Sequence, residues 1–150
     1  MNQLYRASDR TVPRQNGPRR ADLPPPVAVR IAATLVSAIL FYFGTGLEPW
    51  AWCLWLAPLP LLFVLPKVRG RTAFVMSAVA WLGGESAMWQ YFLGSLSLPV
   101  FPALLIIIGS AVLFGLVGMG FGVLGRAGRP LVAAFMVPAA WAAIEYVMSV

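Results

Sequence analysis

The 150-residue sequence is 60% hydrophobic and only 11% charged, contains no histidine and one cysteine, and has a formal net charge of +6. Soluble domains average about 25% charged residues, so this composition indicates a membrane protein rather than an ordinary soluble domain. One cysteine and no histidine exclude an intrachain disulfide and the usual ligand sets of a structural zinc or iron–sulfur site. We therefore expect no metal and no cofactor.

The first 26 residues form a basic segment punctuated by prolines. Residues 1–26 hold most of the polar content and almost no apolar periodicity, so they cannot bury enough surface to offset the entropy lost on ordering. Nucleic-acid binding requires a basic face on a folded element, whereas these arginines precede an apolar run. We predict a disordered cytoplasmic tail that is not a cleaved signal peptide, because further apolar runs follow, and we expect no nucleic-acid partner.

From Val27 onward the chain is a series of apolar runs separated by short polar connections. Each run has about 18 to 25 residues, the length that a helix needs to cross about 30 Å of hydrocarbon. The sequence therefore predicts an all-α membrane domain over 27–150 with five transmembrane helices. We place them near 27–46, 48–66, 72–94, 99–125 and 130–150.

Lysine and arginine occur only in every second connection between these runs. The tail together with Arg30 contains six, the second loop three and the fourth loop two, whereas the first and third loops contain none. Short loops rich in basic residues stay in the cytoplasm, so the N-terminus is predicted inside and Val150 on the outer side. The second run then starts at the outer interface, where amphipathic tryptophans anchor helices. Three tryptophans stand there: Trp50, Trp52 and Trp55.

Glycines in the fourth run have the spacing of a dinucleotide-binding turn. Gly120, Gly122 and Gly125 match G-x-G-x-x-G, but that motif needs a preceding strand and a soluble crevice. With Gly115 and Gly118 the run instead presents small residues at helical spacing, which let membrane helices approach closely. We therefore predict close helix packing rather than nucleotide binding.

Prolines interrupt three of the predicted helices. Pro58 and Pro60 lie in the second, Pro102 in the fourth and Pro138 in the fifth, and each lacks a backbone donor. In a membrane, the carbonyls left free must find partners in neighbouring helices or water. A kink is the favoured interpretation, and a ligand cavity at one of these breaks is the alternative.

Two carboxylates are predicted within membrane spans, where ionisable side chains are costly and often functional. Glu85 and Glu145 both lie roughly 20 Å from the inner ends of their helices at 1.5 Å per residue, in the outer half of the bilayer. Trp141 precedes Glu145 by one turn, and Trp89 continues the face of Glu85. The candidate substrate-binding residues are therefore Glu85, Trp89, Trp141 and Glu145, and a neutral carboxyl hydrogen-bonded between helices is the structural alternative for each glutamate.

A catalytic nucleophile is missing from the sequence. Without histidine, Ser-His and Cys-His couples are impossible. Cys53 lies in an apolar, aromatic stretch with no base nearby, so we expect no catalytic role for it. No residue of the chain is predicted to be catalytic.

The order of four segments resembles a known family. They are "GLEPWAWCLWLAPLPLLFVL", the basic "KVRGR", "WLGGESAMWQYFLGSL" and "VPAAWAAIEYV". Residues 30–150 thereby resemble the N-terminal membrane region of bacterial apolipoprotein N-acyltransferases. The resemblance rests on an A-x-x-P-L-L-like core beginning at Ala57, on Trp89-Gln90-Tyr91 before a Ser-Leu loop, and on Pro138, Trp141 and Glu145 in a P-x-x-W-x-x-x-E pattern.

The resemblance implies a multi-pass protein of the bacterial plasma membrane that binds phospholipids and lipoproteins. Such an enzyme moves an acyl chain from a phospholipid to the amino group of a lipoprotein's diacylglyceryl-cysteine. In the family the catalytic residues belong to a nitrilase-like domain outside the membrane, which has no counterpart in residues 1–150. We therefore expect the chain to be the membrane part of a longer protein and not to be catalytic alone. The alternative is a stand-alone, non-enzymatic membrane protein: a scaffold that binds lipid or partner helices, or a small transporter subunit.

Overall fold

A computed structural model describes residues 24–46 and 49–149, except for several side chains in the last helix, including those of Trp141 and Glu145. All regular secondary structure within these residues is helical. The expected tail lies outside the described residues except for Pro24, Pro25 and Pro26. The helices are α1 (Val27–Thr45), α2 (Ala51–Leu56), α3 (Leu59–Val64), α4 (Gly70–Glu85), α5 (Val100–Arg126) and α6 (Pro130–Ser149).

Helix starts are marked by proline. Pro26 and Pro99 directly precede α1 and α5, and Pro130 is the first residue of α6. Proline suits these positions because the first N–H groups of a helix have no intrahelical partner. Gly128 ends α5 with a φ of +72°, a left-handed conformation that glycine adopts without strain. These signals, together with the apolar runs, explain why three helices begin and end within one residue of the predicted positions.

The helical segments alternate in direction. α4 lies between α1 and α5: Gly83 in α4 faces Ala38 in α1, and the Trp81 indole in α4 reaches Ser110 in α5. α2 and α3 return along α1, and α6 packs on α5. The second predicted span is therefore formed by α2, α3 and a 3₁₀ turn over Leu65–Lys67.

The two ends of this bundle differ in chemistry. Arg30, Lys67, Arg69 and Arg126 meet at one end, called here the basic end. The opposite end, called the tryptophan end, carries Trp50, Trp52 and Trp55, which are 69%, 82% and 77% exposed. It forms where the chain turns from α1 into α2, since the backbone N–H of Trp50 donates to the backbone carbonyl oxygen of Phe43 over 3.0 Å.

Among the helices that the structure describes, two, α1 and α5, are long and apolar enough to cross a membrane. Only 22% of the most apolar stretch of α1 and 28% of that of α5 are buried inside the protein. A core helix of a soluble protein would be mostly buried, whereas these helices present apolar side chains outward. The structure thus has an all-helical fold with two candidate membrane-spanning helices.

Close helix packing through glycine is confirmed. A Cβ at Gly118 of α5 would overlap the hydroxyl of Ser77 and lie 2.6 Å from its Cβ, and a Cβ at Gly122 would lie 2.9 Å from the Leu65 carbonyl oxygen. Gly120, Gly122 and Gly125 all lie inside α5, so the dinucleotide-like spacing belongs to a helix and not to a strand–helix turn.

The predicted interruptions at proline differ in how they appear in the structure. The second predicted helix is broken at Pro58, where Ala57 and Pro58 keep right-handed helical dihedrals, so the break is a kink. Pro138 lies inside α6 as predicted. The expected interruption at Pro102 is wrong, because this residue lies in the first turn of α5, where the missing N–H costs no intrahelical bond.

Candidate functional site

Glu85 is the last residue of α4, at the point where the helix changes geometry. A 3₁₀ turn over Ser86–Met88 follows it, and a π-helical turn over Tyr91–Ser95 comes next. The third predicted span over 72–94 is thus continuous in sequence but not in helix type. Short π and 3₁₀ turns within a helical run occur frequently at functional sites. The half-buried Glu85 therefore lies where α4 gives way to irregular helical turns.

Trp81, one turn before Glu85, belongs to the core. Its indole is only 7% exposed, stacks on Phe114 at a centroid distance of 4.8 Å and meets Phe41 edge-on at 5.1 Å. Its N–H donates to Ser110 Oγ over 3.1 Å, and the Ser110 hydroxyl donates to the Ile107 carbonyl oxygen. Trp81 therefore cross-links α4 and α5 and does not line an open pocket.

The carboxyl of Glu85 is connected to this core. A side-chain hydrogen bond to Trp81, one turn earlier on α4, contributes to the environment of this carboxyl. The nearby Thr45 hydroxyl bonds the Gly84 carbonyl oxygen over 3.1 Å and holds the end of α1 against the end of α4. These contacts fix the backbone on which the Glu85 carboxyl is presented.

Trp89 lies between the 3₁₀ turn and the π turn and is half-buried. It is four residues beyond Glu85, and the three residues between them form the 3₁₀ turn rather than a regular α-helix. Both residues are thus placed at the tryptophan end of α4, as the sequence predicts. The structure brings Glu85 and Trp89 into the same short segment.

Trp141 and Glu145 lie on α6, and their side chains are outside the described part of the structure. Glu145 lies fifteen residues beyond Pro130, and Glu85 lies fifteen residues beyond Gly70. Both helices start at the basic end, so the two glutamates occupy similar heights, roughly 22 Å along their helices. However, the extensive packing of both α4 and α6 is on α5, and the described residues show no comparably extensive packing of α4 on α6. The backbone therefore places Glu85 and Glu145 at similar heights, and direct pairing of the two side chains stays a prediction.

Sequence reasoning missed two features near Glu85. The first is how closely α1 approaches Gly83 and Gly84. A Cβ on Gly83 would lie 2.7 Å from Ala38 Cβ, and a Cβ on Gly84 would lie 2.5 Å from Phe41 Cβ. The change of helix type after Glu85 was also missed, because the sequence there stays apolar and aromatic. The Gly-Gly pair was the available signal, since adjacent small residues in an apolar helix favour close packing.

The described residues contain no cluster of three or more side chains of the types that bind metals. Cys53 is half-buried in α2, an apolar helix. The geometry therefore offers a carboxyl and aromatic side chains near the end of α4. No protein-family model, curated protein sequence or solved structure matches the chain.

Proposed function

We propose that residues 27–149 are the membrane-embedded part of an apolipoprotein N-acyltransferase-like protein of the bacterial plasma membrane. In this proposal five helical segments cross the bilayer: α1, the α2–α3 pair, α4 with its following turns, α5 and α6. The basic end faces the cytoplasm and the tryptophan end faces outward. The convergence of Arg30, Lys67, Arg69 and Arg126 supports this orientation, because basic residues stay on the cytoplasmic side.

The observation that carries the proposal is the position of Glu85 and Trp89 at the tryptophan end, where α4 ends in irregular turns. An acyl transfer at the outer face needs a site at this height that opens to lipid. Glu85 and Trp89, with Trp141 and Glu145 on α6, are proposed to bind the phospholipid and lipoprotein substrates. The acyl-carrying residues belong to a nitrilase-like domain outside these 150 residues.

The alternative is a stand-alone membrane protein that binds lipid or partner helices without catalysis. The lack of histidine and the position of Cys53 in an apolar helix are compatible with either proposal, because neither assigns a catalytic residue to this chain. The two proposals share the membrane fold and differ in whether acyl transfer depends on this chain.

The test is genetic and chemical. The gene is deleted in the native source, and the N-terminal lipopeptides of its lipoproteins are weighed by mass spectrometry. Loss of the amide-linked acyl chain, restored by the reintroduced gene, supports the acyltransferase proposal. Unchanged lipopeptides contradict it and leave the stand-alone alternative.

A second measurement asks which polypeptide contains this domain in the native source. An antibody against residues 1–20 is used to find the mass of the native product. A product several times heavier than 16.2 kDa is expected if a catalytic domain belongs to the same polypeptide. A product near 16.2 kDa contradicts a fused domain and favours the alternative.

A further inference from the structure

A cleft of about 780 Å³ opens at the basic end of the bundle. Four cationic side chains line it: Arg30 of α1, Lys67 and Arg69 of the connection before α4, and Arg126 of α5. None of its described lining residues is acidic. Three separate parts of the chain thus place positive charge around one space, which favours an anionic ligand.

Packed backbone holds these charges in place. The half-buried Arg30 donates from Nε to the Pro25 carbonyl oxygen over 2.8 Å. Val68, between the two cations of the connection, is buried to 3% exposure and anchors that segment. A Cβ on Gly70 would lie 3.8 Å from a terminal nitrogen of Arg126, so the end of α5 meets the start of α4. Helix packing therefore sets the backbone positions that carry these charges, while the Lys67, Arg69 and Arg126 side chains themselves are exposed.

An apolar groove of about 370 Å³ continues from the cleft along α1 and α4. Arg30 and Thr72 line both spaces, so the groove and the cleft are contiguous. Beyond them the groove is walled by apolar side chains: Ile31, Leu35, Val75, Met76 and Val79. A ligand with an anionic head and a hydrocarbon tail would place its head in the basic cleft and its tail in the apolar groove.

We propose that the basic end binds one anionic phospholipid, with its phosphate in the cleft and an acyl chain in the groove between α1 and α4. Arginine side chains bind phosphate oxygens through charge-assisted hydrogen bonds, and basic pockets between membrane helices bind anionic headgroups. The site lies at the opposite end of α4 from Glu85. It does not depend on acyl transfer, so either proposal can fail without the other.

Two pairs of arginines provide a matched test of the cleft. Arg69 and Arg126 line it, whereas Arg71, in the first turn of α4, and Arg129, just before α6, do not. The full chain, purified in zwitterionic detergent, is titrated with dioleoyl phosphatidylglycerol, and bound lipid is counted by native mass spectrometry. The R69Q/R126Q variant should lose at least about tenfold in affinity, while R71Q/R129Q changes it by less than about twofold. Equal losses in both variants would mean diffuse surface attraction and would overturn the proposal.

A second arm separates a lipid from a free phosphate. Val75 lies in the groove and is 55% exposed, so a tryptophan there fills the groove without entering the core. V75W should weaken phosphatidylglycerol binding severalfold, whereas L105W, at an exposed position on α5 outside the groove, should not. Inorganic phosphate at millimolar concentration should displace little lipid. Full displacement by phosphate, or equal binding by V75W, would show a phosphate site without an acyl groove and overturn the proposal. Helical circular dichroism verifies that each variant is folded.

Discussion

Gly118 of α5 lies so close to Ser77 of α4 that a Cβ on the glycine would overlap the serine side chain. Ser77 is fully buried, and its hydroxyl has no hydrogen-bond partner among the described residues. The contact therefore depends on the absence of a side chain at position 118 and not on a polar bond. It fixes the distance between two helices at the centre of the bundle.

Gly118→Ala should destabilise the protein by about 1–3 kcal/mol, because the added methyl forces α4 and α5 apart. The matched control is Gly109→Ala in the same helix, where a Cβ would meet nothing within 4 Å. That control should be neutral or slightly stabilising, since alanine favours helix more than glycine does. Thermal unfolding in detergent, followed by circular dichroism, compares the two. Ser77→Gly should rescue Gly118→Ala, and equal stability of the two alanine variants would contradict the contact.

The hydrogen bond between Trp81 and Ser110 predicts non-additive substitutions. Trp81→Phe keeps an aromatic ring against Phe114 but removes the N–H, and Ser110→Ala removes the acceptor. Each should cost about 1 kcal/mol of unfolding free energy. Because both remove the same bond, the double variant should cost clearly less than the sum of the single variants. Strict additivity in denaturant or thermal unfolding would show that the bond contributes nothing.

Gly44 holds α2 against α1, and the single cysteine reports on that contact. A Cβ on Gly44 would lie 2.8 Å from the backbone nitrogen of Leu54, which cannot rotate away as a side chain can. Gly44→Ala should therefore displace α2 and increase the rate of maleimide labelling at the half-buried Cys53 severalfold. Gly46→Ala, whose Cβ has its closest neighbour at 3.4 Å, is the control and should leave the rate unchanged. Similar rates in all three proteins would argue against this packing.

The proposed substrate site predicts a loss of acyl transfer without a loss of folding. Glu85→Gln and Glu145→Gln, placed in the chromosomal gene of the native source, should each lower lipoprotein N-acylation at least about tenfold. Both should leave the amount of protein in the membrane unchanged, because glutamine keeps the size of the side chain. The exposed Ser86→Ala next to Glu85 is the control and should retain activity. Full acylation in either glutamine variant would remove that glutamate from the site.

Apolar run length and punctuation were sufficient to predict the positions of three of the six α-helices in the described part of the chain. α1, α5 and α6 were predicted at 27–46, 99–125 and 130–150 and occur at Val27–Thr45, Val100–Arg126 and Pro130–Ser149. These predictions succeeded because proline and glycine act locally on the backbone. The interruption expected at Pro102 failed for the same local reason, since its position within the helix decides its cost.

Tertiary relationships were harder to predict. The basic loops were recognised as a topology signal, but their convergence with Arg30 around one cleft depends on how α1, α4 and α5 pack. Likewise, the end of α4 at Glu85 is set by contacts with α1, including the bond from Thr45 to the Gly84 carbonyl oxygen. Such contacts between helices cannot be predicted from the periodicity of the sequence. The candidate residues Glu85 and Trp89 could be found, but the irregular backbone around them could not.

The orientation of the bundle in the membrane is the claim on which the acyltransferase proposal rests, and cysteine accessibility tests it most directly. In a Cys53→Ser background, single cysteines replace the exposed Ser97, beyond the π turn, and the exposed Ala127, after α5. Neither change alters the charge of a loop. A membrane-impermeant maleimide should label position 97 in intact spheroplasts and position 127 only after permeabilisation. Labelling of position 127 in intact spheroplasts, or labelling of both positions there, would contradict a cytoplasmic basic end.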